Sequence, residues 1–212
     1  LIIPANTLAS GGFAVDNSLR FDDGSTDYLN GSGGAGSTKT KFTFSAWVKR
    51  SNLASVDDTI IGKWSTGDDR GHINFSDTPN DTIVLFEKVA AVTKVYLLTN
   101  RLFRDTSSWY HILYIGDTTE VTDSNRLKLF INGVQETSFA TATYPILNYN
   151  WQLQTLTQDF GIGAFASTNA GASPFSGYMS EVVYLDGVAG SVTDFGEFDE
   201  DSGIWKPIDV SG

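Results

Sequence analysis

Apolar and polar positions alternate along much of the chain, and the alternation is clearest from Phe42 to Lys49. Four apolar side chains share one parity in that run: Phe42, Phe44, Ala46 and Val48. A period of two residues is that of a β-strand, whose successive side chains point to opposite faces. Both parities of this run carry bulky groups, so it predicts a central strand. Nowhere does a helical apolar period persist, and the pattern therefore predicts an all-β protein.

A second stretch of alternation predicts a three-strand antiparallel meander. Its runs are Tyr110–Ile115, Arg126–Ile131 and Val134–Phe139, and Asn132-Gly133 separates the last two. Asn-Gly favours a type I′ turn because both central residues of that turn need positive φ. The second and third strands should therefore form a tight hairpin.

Short predicted strands continue at regular spacing, which is typical of a two-sheet antiparallel β-sandwich or jelly roll. A chain of 212 residues with 41% apolar residues can bury one large core. We predict an irregular lead-in at 1–15, one domain at 16–188 and a C-terminal extension at 189–212. The extension either packs back on the domain, anchored by Trp205, or leads into a further domain.

Charge and composition restrict the partners. The chain has 14 Lys and Arg against 25 Asp and Glu, a net charge of −11. This acidity argues against nucleic acid and anionic membranes, whose binding depends on Lys and Arg. There is no cysteine, so neither disulfides nor thiolate metal sites can form. Because the sequence starts at Leu1 without a signal-peptide pattern, we interpret it as a piece of a longer protein.

Several motifs, in order and spacing, resemble the concanavalin A-like laminin-G/pentraxin superfamily between about Asn17 and Gly187. They are LRFD, FTFSAWVKR, TIIGKW, SSWYHILYI, RLKLFINGVQ, FGIGAF and FSGYMSEVVYLDG. The segments LFRD, TATYP and FGEFDEDSGIWKP resemble a subfamily common in virion proteins of tailed bacteriophages. The resemblance implies a concanavalin A-like jelly roll on a particle surface or tail, with glycans or other virion proteins as partners. It also implies a homo-oligomer, by analogy a trimer.

No enzymatic role is expected. Hydrolases with this fold carry two carboxylates on one strand, four residues apart, and no strand here has that pattern. The adjacent pairs Asp57-Asp58 and Asp68-Asp69 fall in predicted loops, and His72 and His111 are interpreted as structural. A glycan-cleaving enzyme is the third alternative, and it would need two carboxylates about 5–9 Å apart in a cleft.

No resident cofactor is predicted, and Ca²⁺ at Glu181 is the one metal considered. Glu181 has the same parity as Met179, Val183 and Leu185. If that parity faces the core, the carboxylate needs an arginine, a tyrosine hydroxyl or a cation as partner. A structural hydrogen bond is the favoured alternative, because the family more often has Asp-Glu where this chain has Ser180-Glu181.

Sugar binding needs an exposed aromatic platform with polar neighbours for the hydroxyls. Trp47 and Trp109 lie in strand motifs and are predicted to be core residues. Two candidate surfaces remain, each of which could instead be a satellite core. They are Trp64 with Asp68, Asp69 and Arg70, and Tyr149 with Asn148, Asn150 and Trp151. The sequence thus favours a non-enzymatic binding module of a virion protein, and the alternative is a purely architectural domain that binds no sugar.

Overall fold

The computed structural model describes residues 13–25, 27–31, 38–53, 56–66, 68–155, 157–166 and 170–210. Most of the predicted lead-in at 1–15 lies outside this part of the chain. The strands are β1 (Leu19–Phe21), β2 (Leu29–Gly31), β3 (Lys41–Arg50), β4 (Asp58–Thr66), β5 (Asp69–Asp77), β6 (Asn80–Val89), β7 (Val92–Thr99), β8 (Tyr110–Asp117), β9 (Leu127–Ile131), β10 (Val134–Glu136), β11 (Phe139–Thr143), β12 (Phe160–Ile162), β13 (Gly177–Asp186), β14 (Gly196–Phe198) and β15 (Trp205–Pro207).

Two large antiparallel sheets face each other, which confirms the predicted all-β jelly-roll sandwich. Sheet A has the order β1-β13-β3-β8-β9-β10, and sheet B has the order β11-β7-β6-β5-β4-β12-β2. The short hairpin of β14 and β15 is separate from both. One four-residue helix, α1 (Gln152–Thr155), accompanies them. No helix in the described ranges is long and apolar enough to cross a membrane.

Strand β3 is central in sheet A, between β13 and β8, as its two bulky faces predict. Its four alternate apolar side chains are fully buried against side chains of sheet B: Phe42, Phe44, Ala46 and Val48. Burying an apolar side chain of this kind stabilises the fold by about 1.5–3 kcal/mol. The outward parity carries Thr43, Ser45 and Trp47, and the Thr43 hydroxyl donates to the Val188 carbonyl at 2.9 Å.

The meander is present, with one correction. Strands β8, β9 and β10 are neighbours, and Asn132 (φ 49°) and Gly133 (φ 77°) have the positive φ values of the predicted turn. The third strand ends at Glu136, however, and Phe139 begins β11 in sheet B, opposite Thr99. The prediction that Val134–Phe139 is one strand is wrong because the chain crosses between sheets there.

A charged cluster is buried within the sandwich around Arg50, which is 1% exposed. Its guanidinium donates to Asp81 (2.9 Å), to Asp58 (3.1 Å) and to the Phe103 carbonyl (2.9 Å). It also lies 4.6 Å from the centroid of the Phe75 ring. Burial raises the pKa of Asp58 to about 7, and the charge of Arg50 opposes that rise. The cluster therefore depends on Arg50 to balance two carboxylates removed from water.

A further buried carboxylate, apart from the Arg50 cluster, belongs to Glu87 on the inward face of β6. Its two oxygens accept from the Gln152 N–H at 3.0 and 2.9 Å, and one accepts from the Leu153 N–H at 3.3 Å. These donors open α1, so Glu87 holds the helix against sheet B. Burial raises the pKa of Glu87 to about 7, and the backbone hydrogen bonds limit the rise.

We expect Glu87→Gln to weaken the pH dependence of stability between about pH 4.5 and 7. The folded chain holds the Glu87 proton more tightly than the unfolded chain, so the wild type loses stability as pH rises through this window. The pKa gap corresponds to roughly 3 kcal/mol. Urea unfolding at several pH values measures the free energy of unfolding of both proteins. The value for the wild type minus that for the variant should fall as the pH rises, and a constant difference would contradict the prediction. Glu120→Gln, at an exposed position, serves as the control.

The C-terminal hairpin packs on the outer face of sheet A through Trp205, which is 7% exposed. The Trp205 indole donates to Nδ1 of His111 (3.0 Å), and Nε2 of His111 contacts the Ser45 hydroxyl at 2.9 Å. A Cβ atom on Gly133 would lie 2.3 Å from the Trp205 ring, so only glycine admits this approach. His111 is a buried, hydrogen-bonded residue of the scaffold, and burial lowers its pKa to about 4.

Candidate functional site

The outer face of sheet B carries an unusual set of side chains. In β5, Ile73 and Phe75 point into the core, while His72, Asn74 and Ser76 share the opposite parity. The neighbouring strand β6 pairs Phe86 with His72 and Val84 with Asn74. This face borders a cavity of about 350 Å³, here called the sheet B cavity. Its size lies in the range of small-molecule sites.

Aromatic rings form a continuous row along this cavity. Phe165 makes edge contacts with Trp64 at 4.9 Å and with His72 at 5.3 Å between ring centroids. His72 stacks on Phe86 at 5.2 Å, and Phe86 meets Tyr96 edge-on at 5.7 Å. Such contacts hold the rings in fixed orientations. The row therefore offers a preformed apolar surface.

Phe165 reaches the row because Gly62 leaves room for it. A Cβ atom at position 62 would lie 2.6 Å from the Phe165 ring, which is closer than real side chains come. Gly62 is opposite His72 in the pairing of β4 with β5. The glycine thus lets a ring from another segment close over the strand and complete the wall of the cavity.

A cation lies among the rings. The guanidinium carbon of Arg70 is 4.7 Å from the centroid of Trp64 and 5.1 Å from that of Phe86. Stacking of this kind attracts a cation to the ring faces and restricts its orientation. Arg70 therefore brings positive charge and hydrogen-bond donors to a largely apolar wall.

Two buried polar side chains complete the wall. His72 is 8% exposed and Asn74 is 1% exposed. Among the described residues, Nδ1 of His72 and Oδ1 of Asn74 have no hydrogen-bond partner. Burial, with a smaller contribution from Arg70, lowers the pKa of His72 to about 3, so the ring is neutral at ordinary pH. Leaving a buried polar atom without a partner costs about 1–3 kcal/mol.

The described lining holds one carboxylate, Asp57, at the end of the cavity. It accepts from the Asp77 N–H at 3.1 Å, and burial raises its pKa. The charge of the neighbouring Asp77 side chain contributes to that rise.

The first predicted surface is only partly assembled in the cavity. Trp64 and Arg70 line it, as described above. Asp69 instead accepts from the Ala90 N–H at 2.7 Å, and Asp68 lies 3.7 Å from Lys88. The two acids thus hold the β6–β7 turn against the β4–β5 turn and lie outside the lining.

The second predicted surface does not form a platform. Trp151 is fully buried, and its indole donates to the Thr40 carbonyl at 3.1 Å. Tyr149 packs against the core beside it, which leaves only Asn148 and Asn150 exposed. The prediction of an exposed Trp151 is wrong because this loop folds its aromatic residues under itself as part of the core.

Trp47 and Trp109 are also placed differently from the prediction. Both are half-buried rather than core residues, and both line a cavity of about 300 Å³ on the outer face of sheet A. Trp47 shares the outward parity of Ser45, so the alternation of β3 already directs it away from the core. We call this cavity the Trp47–Trp109 cavity.

Glu181 does not face the core. A bulge between Ser180 and Val183 interrupts the pairing of β13 with β3, and Glu181 has φ 49° within it. The bulge shifts the alternation, so Met179 points inward while Val183 pairs with outward-facing Ser45. Glu181 is half-buried, and the parity that Met179 and Val183 share in the sequence does not correspond to one face of the strand. In the described ranges, no three His, Cys, Asp or Glu side chains group as metal ligands.

The sequence did not single out most of the lining. The missed residues are Asp57, Asn74, Ser76, Val84, Phe86, Thr93, Tyr96, Phe165 and Ser173, and His72 was interpreted only as structural. One signal was available: His72, Asn74 and Ser76 form a polar parity on a strand whose other parity is apolar. Recognising it as a site also requires the neighbours in β6 and β7, which only the sheet order supplies.

The sequence matches the family model of the concanavalin A-like lectin/glucanases superfamily over residues 23–190, and no curated protein matches it. Among solved structures, the enzymatically active domain of tailspike protein 2 of bacteriophage CBA120 has TM-score 0.59 at 20% identity, covering 85% of this chain and 26% of that chain. The CBM40 of the Ruminococcus gnavus IT-sialidase, bound to α2,3-sialyllactose, has TM-score 0.52 at 12% identity. That match covers 85% of this chain and 97% of the CBM40 chain. These likenesses show the shared fold. With the family match spanning most of its length, the chain belongs to the concanavalin A-like lectin/glucanases superfamily.

Proposed function

We propose that this domain binds carbohydrate in the sheet B cavity and does not cleave it. The observation that carries the proposal is the preformed aromatic row beside the buried side chains of His72 and Asn74. A sugar ring has an apolar face that stacks on aromatic rings and hydroxyls that pair with polar groups. The wall supplies both kinds of contact in one cavity.

Two features support binding without turnover. Asp57 is the one carboxylate in the described lining, and the neighbouring Asp77 carboxyl is within hydrogen-bond reach of it, closer than the roughly 5–9 Å between the two carboxyl groups of a glycosidase. The His72 ring, with a pKa of about 3, stays neutral and is poorly suited to accept protons near pH 7. Titration of His72 should accordingly contribute no pH dependence to binding between pH 5 and 8.

The setting that we propose is a virion surface protein that attaches to glycans. Support comes from the motif resemblance and from the tailspike protein, whose chain includes this fold in about a quarter of its length. A homo-oligomer, as in the sequence-based expectation, would present several copies of the cavity and raise avidity. Contacts with other virion proteins, without glycan binding, are the alternative function.

Trp64→Ala should weaken glycan binding about tenfold, because stacking on one aromatic ring is worth roughly 1 kcal/mol or more. A glycan array identifies ligands of the wild type, and calorimetry then compares the variants. Trp64→Phe keeps a ring and should retain most of the affinity. Val134→Ala, at an exposed position on sheet A, is the matched control and should bind as the wild type does.

Two results would overturn the proposal. One is a glycan array on which the wild type binds no glycan. The other is a glycan that Trp64→Ala and the wild type bind with equal affinity. Release of reducing sugar from a bound glycan would contradict the non-enzymatic part and favour the glycan-cleaving alternative.

A further inference from the structure

The Trp47–Trp109 cavity lies on the opposite sheet from the site proposed above and is built by three separate parts of the chain. Trp47 comes from β3 and Trp109 from the segment before β8. Pro207 of the C-terminal hairpin forms another side. Because these segments are far apart in the sequence, the cavity forms only when the whole domain is folded.

The chain entering β1 closes the remaining side. Residues 15–18 line the cavity beside Ser180, whose hydroxyl donates to the Asn17 carbonyl at 2.6 Å. Ser180 is 7% exposed and is opposite Trp47 in the sheet pairing. This bond fixes the backbone of residue 17 at the cavity, while the side chains of Asp16, Asn17 and Ser18 remain exposed.

The back of the cavity is also firmly positioned. Trp47 packs against His111 with ring centroids 5.1 Å apart, and His111 stacks on Trp205 at 5.8 Å. These three rings connect β3, β8 and the hairpin that carries Pro207. The half-buried indole of Trp47 is therefore held in place with one part of its surface open to the cavity.

The chemistry of this lining suits a sugar. Two indoles, Pro207 and Val15 offer apolar surface, and Asp16, Asn17 and Ser18 offer hydrogen-bonding groups at one rim. Nε1 of Trp47 is buried without a hydrogen-bond partner among the described residues. The polar rim can pair with the hydroxyls of a sugar while the indoles contact its apolar face.

We infer that the Trp47–Trp109 cavity is a second carbohydrate site, for a single pyranose that carries an apolar substituent such as an N-acetyl methyl group. Its volume of about 300 Å³ is at the small end of ligand sites and limits the occupant to about one sugar ring. The apolar wall is large enough to bury an N-acetyl methyl group as well as the ring face, which favours binding of such a sugar over a hexose without that group. The inference does not depend on the site in the sheet B cavity.

The five tryptophans of the chain make the test specific, because each gives one indole N–H signal in a ¹H–¹⁵N spectrum. Assignment by single substitutions distinguishes them. Titration of the whole chain with N-acetylglucosamine should move the Trp47 and Trp109 signals. The Trp151 and Trp205 signals should stay still, since both indoles already donate within the protein. Trp64 reports on the sheet B cavity.

Trp109→Ala should weaken this binding about tenfold, the loss expected for one stacking ring. Asn17→Ala should weaken it about threefold, and because Asn17 is exposed and its carbonyl is kept, this variant should fold as the wild type does. Glucose should bind several-fold more weakly than N-acetylglucosamine. Trp64→Ala should leave the titration unchanged.

Signals of Trp47 and Trp109 that stay still at saturating N-acetylglucosamine would overturn the inference. Unchanged affinity in both Trp109→Ala and Asn17→Ala would also overturn it, as would equal binding of glucose. Movement of the Trp64 signal alone would support the function proposed for the sheet B cavity and reject this second site.

Discussion

Arg50→Ala should destabilise the protein by about 3–5 kcal/mol, the range for removing one partner of a buried ion pair. The loss is large because Asp58 and Asp81 would remain buried without the cation to which both are bound. Urea unfolding measures this loss of free energy of unfolding directly. The loss should be smaller at pH 5 than at pH 8, because a buried carboxyl group without its cation takes up a proton more readily at the lower pH. Burial already raises the pKa of Asp58 to about 7 in the wild type.

The matched control is Arg104→Ala, which removes a second guanidinium from Asp81. Its Nε lies 3.0 Å from Asp81, yet 59% of the Arg104 side chain is exposed. Exposed pairs contribute about 0–1 kcal/mol, so this variant should lose no more than that. Equal losses in the two variants would contradict the assignment of Arg50 as the centre of the buried cluster.

Trp205→Ala is expected to cost about 3–5 kcal/mol, as other buried tryptophan truncations do. It removes the indole from His111 and from the space that Gly133 and Gly196 leave open. With that cover gone, the pKa of His111 should rise from about 4 toward its ordinary value near 6.5. Chemical unfolding and an NMR titration of His111 measure the two effects.

Phe198→Ala is the control on the same hairpin, because Phe198 is 50% exposed and meets Trp205 only edge-on. It should cost less than about 1 kcal/mol and leave His111 covered. If Trp205→Ala changed neither the stability nor the pKa of His111, the hairpin would not be an integral part of the scaffold.

Strand pattern and turn chemistry were enough to predict the class of fold. The alternation in β3 identified its buried face, and Asn132-Gly133 identified a turn whose φ values are both positive. These features are local, so a sequence displays them directly. The superfamily resemblance, confirmed by the family match over 23–190, added the jelly-roll topology.

The site was harder to predict because it depends on which strands are neighbours. The sequence groups Trp64 with Arg70, and the two residues are opposite each other in the pairing of β4 with β5. Phe86 belongs to the next strand and Phe165 to a distant segment, and nothing local links them to Trp64. Period-two parity also fails at a bulge, which is why Met179 and Val183 share a parity in the sequence but lie on opposite faces of β13.

The exposure of aromatic side chains also depends on remote parts of the chain. The long loop around Trp151 predicts an accessible side chain, but Trp151 packs on Gly116, where a Cβ atom would lie 2.7 Å from its ring. The strong strand pattern around Trp47 predicts a core residue, but Trp47 lies on the outward parity beside an open cavity. Whether a tryptophan packs or remains open depends on what covers it, and here the covering segments are remote in sequence.

A crystal structure of the chain with a glycan selected on the array tests binding in the sheet B cavity directly. We expect a sugar ring within about 4 Å of Trp64 or Phe86, with hydroxyls paired to Arg70 or His72 and the glycosidic bonds intact. A glycan bound elsewhere with the sheet B cavity empty, or one found cleaved, would contradict it.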